Sequence, residues 1–257
     1  MLLYRLGPEG FFAATDLGGQ ARFLHSDPFE IPHHEWQLGR PVDVEASPRL
    51  PPVVPGKIVG IGRNYAEHAR ELGNEPPAEP VLFLKSPSSV IGPQGAVVLP
   101  PESGRVEYEG EIAVVLRSTL RRASAAQARR AVLGVTAACD VTARDLQRRD
   151  PTFARAKSFD TFCPLGPAIL LGPDLDDLQV VTRVNGEERQ RGRSTEMSFG
   201  IVELLVYASA MMTLEPGDVV LTGTPPGVGE LRGGDRLEVE VEGAGVLSNP
   251  VEPWRQG

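Results

Sequence analysis

Lysine is nearly absent from this chain. Only Lys57, Lys85 and Lys157 occur among 257 residues, against 23 arginines. A compact ammonium approaches an oxyanion, or a substrate shared with a metal, more closely than a planar guanidinium does. Lys85 and Lys157 are therefore candidate site residues, whereas Lys57 opens an apolar strand and is explained equally well without a site. Cysteine is scarce too. Cys139 and Cys163 cannot make a disulfide framework and lack zinc-site spacing, which leaves them as small buried residues. There is no excess of positive charge: the net charge is −8, and no basic tract offers the phosphate contacts that nucleic acid requires. No run approaches the roughly 18 apolar residues of a membrane span. Met1-Leu2-Leu3-Tyr4-Arg5 lacks the charged start and apolar middle of a signal peptide, so the cytoplasm is the expected compartment.

What the chain does have is glycine (28) and proline (24) within an ordinary 41% apolar composition. That composition points to many short strands and turns and argues against a helical bundle. Residues 1–55 read as a small, strand-poor appendage closed by the Pro-rich stretch 48–55, and residues 56–257 as the main domain. His33-His34-Glu35 reads as a solvated loop, since neighbouring side chains on an extended segment face opposite ways. Strands are expected at 58–62, 81–85, 105–116, 135–141 and finally 237–241. A helix should follow Asn64 as its cap. Ser124 and Gln127 form a capping box for a helix ending near Gly134, and Ser198 should cap one over about 200–212. Asn185-Gly186 marks a hairpin, and Glu215-Pro216-Gly217-Asp218 a turn. Without regular βα alternation, the fold class is α+β. Gly60 and Gly62 are not a dinucleotide fingerprint, because Tyr65 stands where the third glycine belongs. The loop 223–229 lacks the Lys-Ser/Thr of a phosphate loop.

Two groups of residues could carry chemistry. Glu107, Glu109 and Glu111 alternate along one strand and share a face. Such acids suit a solvated edge, or, together with Asp140 at the end of an apolar strand, a divalent cation with hard oxygen ligands. His68 and Glu71, at i and i+3 of the first helix, suit either a solvated face or a general base oriented by a carboxylate.

Seven blocks then fall in a recognisable order: G-R-N-Y-A-E-H at 62–68, F-L-K-S-P at 83–87, Y-E-G-E-I-A-V-V at 108–115, C-D-V-T-A-R-D-L-Q at 139–147, A-K-S-F-D-T-F-C-P-L-G-P at 156–167, V-N-G-E at 184–187 and G-T-P-P-G-V-G at 223–229. Over about residues 57–250 the chain resembles the fumarylacetoacetate hydrolase family. The resemblance implies an α+β fold with a mixed β-roll or sandwich core and few helices, a homodimer, and bound Mg²⁺ or Mn²⁺. It makes Glu109, Glu111 and Asp140 the metal ligands and leaves Glu107 as a neighbour. Lys157 is placed beside the metal, facing the substrate's developing oxyanion, with Asp160 in support. His68 and Glu71 become the catalytic dyad. Arg63, Tyr65, Lys85, Arg144, Gln147 and Thr224 are assigned to the substrate.

The implied substrate is a small dianionic 2-oxo or 2-hydroxy acid that chelates the metal, which stabilises the enolate formed when a neighbouring carbon loses a proton, carbon dioxide or an acyl group. The first expectation is an isomerase or decarboxylase of 2-hydroxydienedioates, of the 2-hydroxyhepta-2,4-diene-1,7-dioate isomerase type in aromatic catabolism. An acylpyruvate hydrolase or oxaloacetate decarboxylase is the alternative, and a non-catalytic binding protein the contrasting class.

Overall fold

The computed structural model describes residues 1–255. In chain order the strands are β1 (Leu2–Leu6), β2 (Phe11–Thr15), β3 (Ala21–Leu24), β4 (Leu38–Pro41), β5 (Ile58–Gly62), β6 (Val81–Lys85), β7 (Val90–Ile91), β8 (Val97–Leu99), β9 (Val106–Tyr108) and β10 (Gly110–Leu116). They continue as β11 (Val132–Cys139), β12 (Thr142–Ala143), β13 (Cys163–Leu171), β14 (Gln179–Val184), β15 (Glu187–Arg193), β16 (Val219–Leu221), β17 (Gly229–Glu230), β18 (Arg236–Val241) and β19 (Gly245–Pro253). The helices are short: α1 (Ala66–Glu71), α2 (Ala125–Ala131), α3 (Arg144–Arg149), α4 (Ala154–Lys157) and α5 (Ile201–Met211). No helix among the described residues is long and apolar enough to cross a membrane.

A long mixed sheet runs β4-β3-β2-β1-β13-β11-β10-β16-β5-β6, with β7 joined to β13. A five-stranded sheet, β15-β14-β18-β19-β8, and a small sheet, β12-β9-β17, complete the strand-rich α+β fold. The period-two rule explains how the long sheet is covered on both faces. Ile112, Val114 and Leu116 of β10 pack with Val180, Val239 and Val241 of the five-stranded sheet and with Leu204 and Leu205 of α5. Ala113 and Val115, pointing the other way, join Leu3, Ile58, Leu165 and Ile169. Both cysteines are free and buried, and burial pushes the Cys163 thiol up to about 12.

Several expectations need correction. Residues 1–50 are not strand-poor: β1 to β4 form an antiparallel meander whose first strand pairs with β13 in the long sheet. Asn64 does not cap α1. Its amide donates to the carbonyls of Phe199 (3.1 Å) and Thr222 (2.8 Å), and its carbonyl accepts from the Phe199 amide (2.9 Å), so it bolts three segments together. Helix α5 starts after Gly200, not from a Ser198 cap. The Ser124 capping box forms, but α2 gives way to β11 at Val132, and Gly134 lies within that strand. A Cβ on Gly134 would stand 2.1 Å from the Leu170 carbonyl oxygen, so glycine there permits close strand packing. The strand 237–241 is followed by β19. The Asn185-Gly186 hairpin is as expected, with φ of 55° and 79° at the two turn residues.

Candidate active site

The run 105–116 is two strands, not one. Tyr108 ends β9 in the small sheet, Gly110 begins β10 in the long sheet, and Glu109 sits at the crossing between them. Gly110 is required there, because a Cβ would lie 1.9 Å from Thr182 Oγ1. Its amide is taken by Gln190 Oε1 at 3.0 Å, and its carbonyl accepts from the Thr224 hydroxyl at 2.8 Å. The neighbouring carboxylates are thereby held by backbone fixed on both sides. Asp140 joins them from the end of β11, where its amide donates to the Glu109 carbonyl.

A solvated acidic edge is ruled out, since Glu107, Glu109, Glu111 and Asp140 are all 5% exposed or less. Oxygens of Glu109, Glu111 and Asp140 lie within 4.8 Å of one another. Glu107 faces elsewhere, pairing with Arg144 Nε and Arg105 Nε at 2.6 Å each. Lys157 Nζ donates to Glu109 Oε2 (2.8 Å) and Asp140 Oδ2 (2.5 Å) and lies 5.0 Å from the centroid of the Phe83 ring. Burial pulls against the Lys157 charge, yet Asp140 and Glu109 outweigh it and raise its pKa. Glu109 is likewise opposed by burial but held far below the usual carboxylate range by Lys157 and Arg144.

Glu111 is the exception. Burial first, then the charges of Asp140 and Glu109, push its pKa well above the normal value. Its carboxylate accepts from the Gly223 amide at 2.6 Å and has no salt-bridge partner among the described residues. A hard oxygen donor set containing a buried carboxylate without a counter-charge suits a bound divalent cation, which would settle that charge. Glu109, Glu111 and Asp140 therefore form a buried acidic triad able to hold a metal.

A cavity of about 270 Å³ opens over this centre. Glu109, Glu111, Lys157, Arg144, Gln147, Thr224, His68 and Arg63 all border it, so eight of the sequence-derived candidates converge. Its apolar walls are Ile61, Leu72, Phe83 and Phe153. His68, 4% exposed, gives Nδ1 to Glu71 Oε2 at 3.2 Å. Glu71 in turn accepts from the Gly227 amide at 3.0 and 3.2 Å. Gly227 has φ +101°, and a Cβ would approach the Arg189 carbonyl oxygen to 2.1 Å. Loop 223–229 thus serves both groups, with Gly223 holding Glu111 and Gly227 holding Glu71.

Other candidates occupy supporting positions. Lys85 lies beneath the triad, donating to Asp140 Oδ1 at 2.7 Å and to the Lys157 carbonyl, and does not border the cavity. Arg144 is committed to Glu107, Glu109 and Gln147, so it brackets the acids instead of awaiting an anion. Tyr65 is buried behind the site against Gly192, its hydroxyl without a partner among the described residues; burial, then Glu111, raises its pKa. Asp160 is exposed, and the hydrogen-bonded acids of Lys157 are Glu109 and Asp140. Sequence reasoning overlooked Gln190, which lies some eighty residues from the Gly110 it holds. Its local signal is a buried amide on a mostly exposed hairpin strand, legible only once the fold is known.

Residues 57–252 match the family described as fumarylacetoacetate (FAA) hydrolase C-terminal, and the chain belongs to that family, whose members are enzymes. The solved 5-carboxymethyl-2-hydroxymuconate delta-isomerase from Mycobacterium smegmatis superposes with a TM-score of 0.89 at 39% identity, covering 99% of this chain and 100% of that one. The 2-hydroxyhepta-2,4-diene-1,7-dioate isomerase from Mycobacterium marinum superposes at 0.88 with 37% identity, covering 100% of both. The mitochondrial oxaloacetate tautomerase FAHD2A of Bos taurus is 43% identical over 215 residues, 79% of this chain and 68% of that protein.

Proposed function

We propose that this enzyme is a Mg²⁺- or Mn²⁺-dependent proton-transfer isomerase of small dianionic 2-oxo and 2-hydroxy acids, of the 2-hydroxyhepta-2,4-diene-1,7-dioate isomerase type. The observation that carries the reading is that His68, paired with Glu71, borders the same cavity as Glu109 and Glu111 of the acidic triad. A divalent cation bound by Glu109, Glu111 and Asp140 would supply Lewis acidity to the carboxylate and oxo oxygens of such a substrate. With Nδ1 turned to Glu71, His68, which lines the cavity, has Nε2 left to remove a proton beside the oxo carbon and return it elsewhere on the substrate's carbon chain. Glu71, fixed by the Gly227 amide, stabilises the imidazolium between those two events. Lys157 keeps a positive charge beside the oxygen on which negative charge develops. Phe83, Phe153 and Leu72 limit water around the reacting carbons.

Oxaloacetate tautomerisation is the second reading, favoured by the similarity to the Bos taurus protein, and it asks the same proton transfer of His68 on a shorter diacid. Ultraviolet assays on chelator-stripped protein, with and without Mg²⁺ or Mn²⁺, separate the possibilities. Metal-dependent conversion of 2-hydroxyhepta-2,4-diene-1,7-dioate without chain cleavage is the expected result. Faster ketonisation of enol-oxaloacetate would favour the second reading. Preferential release of pyruvate from acetylpyruvate or oxaloacetate would replace both with a hydrolase or decarboxylase.

A further inference from the structure

The cavity is charged in two different ways at its two ends. On the buried floor, Lys157 and Arg144 are each tied to carboxylates of the protein. Towards solvent, half-buried Arg63 and exposed Arg148 border the same cavity. Among the described residues, neither Arg63 nor Arg148 has a carboxylate within ion-pair distance or a side-chain hydrogen bond. The apolar side chains of Ile61, Leu72, Phe83 and Phe153 line the same cavity.

The backbone supports a dedicated position for Arg63. Its φ of +59° is left-handed, a conformation that costs a non-glycine residue about 1 kcal/mol or more and persists where the surroundings impose it. The neighbouring Asn64 supplies that constraint through its three hydrogen bonds to Phe199 and Thr222. Arg148, on α3, is carried by the helix whose first residue, Arg144, is anchored to the floor acids. Both guanidiniums are thus mounted on fixed backbone and remain free to bind an anion bidentately.

We propose that Arg148 and Arg63 form a second anion subsite at the cavity mouth. It receives the distal carboxylate of a dicarboxylic 2-oxo acid and so selects diacids over monoacids of the same chain length. This rests on the reading of the acidic floor as a 2-oxo acid site. The apolar walls then take the methylene or diene carbons between the two polar ends.

The test is calorimetric titration of the Mn²⁺-loaded full chain with 2-oxoglutarate and 2-oxoadipate, each paired with the monoacid of equal length, 2-oxovalerate and 2-oxohexanoate. In the wild type at least one diacid should bind about tenfold more tightly than its partner, the order expected of charge-assisted hydrogen bonds at a partly exposed site. Arg148→Gln should remove that advantage while changing monoacid affinity by less than about twofold. Arg148→Lys should restore part of it. Arg149→Gln, one residue along α3 and outside the cavity lining, should retain it. Equal binding of diacids and monoacids by the wild type, or an advantage that survives Arg148→Gln, overturns the subsite. Loss of the advantage in Arg149→Gln as well would reduce the effect to general surface charge and also overturn it. If neither diacids nor monoacids bind, the 2-oxo acid reading itself fails and takes the subsite with it.

Discussion

The strand-built floor of the cavity and the side formed by α1 solve different problems with similar residues. On the floor, carboxylates carried on or at the ends of strands from two sheets are buried and cross-paired with cations from the helices α3 and α4, and a glycine between the acids is packed against Thr182. Beside it, His68 and Glu71 stand on a helix of six residues held to the body through one glycine amide and the Asn64 bolt. A metal centre needs oxygens whose positions hardly vary, whereas a proton carrier needs one ring nitrogen aimed correctly while substrate enters and leaves. The contrast shows how rigidity is distributed: charge pairing fixes the floor, and a few backbone hydrogen bonds orient the His68–Glu71 pair.

The sharpest way to break the comparison is to remove a floor carboxylate. Glu111→Ala or Asp140→Ala should weaken Mn²⁺ binding by more than about 100-fold in calorimetry and abolish turnover, since even outer partners of a metal are worth 10- to 100-fold. Unchanged Mn²⁺ affinity would mean that the acids are a structural cluster only. Next in size is His68→Ala, expected to lower turnover by about 10²- to 10⁴-fold while leaving Mn²⁺ affinity intact. Full activity in that variant would take α1 out of the chemistry.

Smaller effects sharpen the distinction. Gly110→Ala should destabilise the protein by about 1–3 kcal/mol in urea unfolding, because the new methyl meets Thr182. Adding Thr182→Ala should relieve part of that loss. Gly73, just beyond α1, has positive φ, unlike Gly110, but a Cβ there meets nothing within 4 Å; Gly73→Ala should cost only about 1 kcal/mol. Equal losses at the two glycines would argue against a tightly packed floor. The least should come from Lys57→Met, outside both regions. Asp218 keeps its backbone donors Lys57 and Glu215, so stability should fall by about 1 kcal/mol or less, with turnover unaltered.

The acidic centre was legible because its signal is local: acids two residues apart, and a carboxylate closing an apolar strand. The His68–Glu71 pair was legible for the same reason. What escaped were residues whose role depends on distant partners. Asn64 carries the side chain of a helix cap, yet its amide satisfies carbonyls some 135 and 158 residues away, and no local pattern separates those uses. Lys85, singled out by the scarcity of lysine, and Arg144, assigned to the substrate by the family resemblance, are both held by protein acids, and sequence cannot distinguish a cation offered to substrate from one consumed by neighbouring acids. The meander of residues 1–50 escaped because its strands are short and half-buried, so their alternation is weak, and their place in the long sheet depends on β13, over a hundred residues further on.

The loop 223–229 has a consequence in genetics. One stretch of seven residues supports both Glu111 and Glu71, so its lesions should be epistatic to two sets of variants that otherwise combine independently. A substitution at Gly223 or Gly227 should combine non-additively with changes at both Glu111 and His68. Suppressors of such lesions should then map to the segments the loop touches, Arg189–Gln190 and the Asn64 turn, and not to Glu111 or His68 themselves.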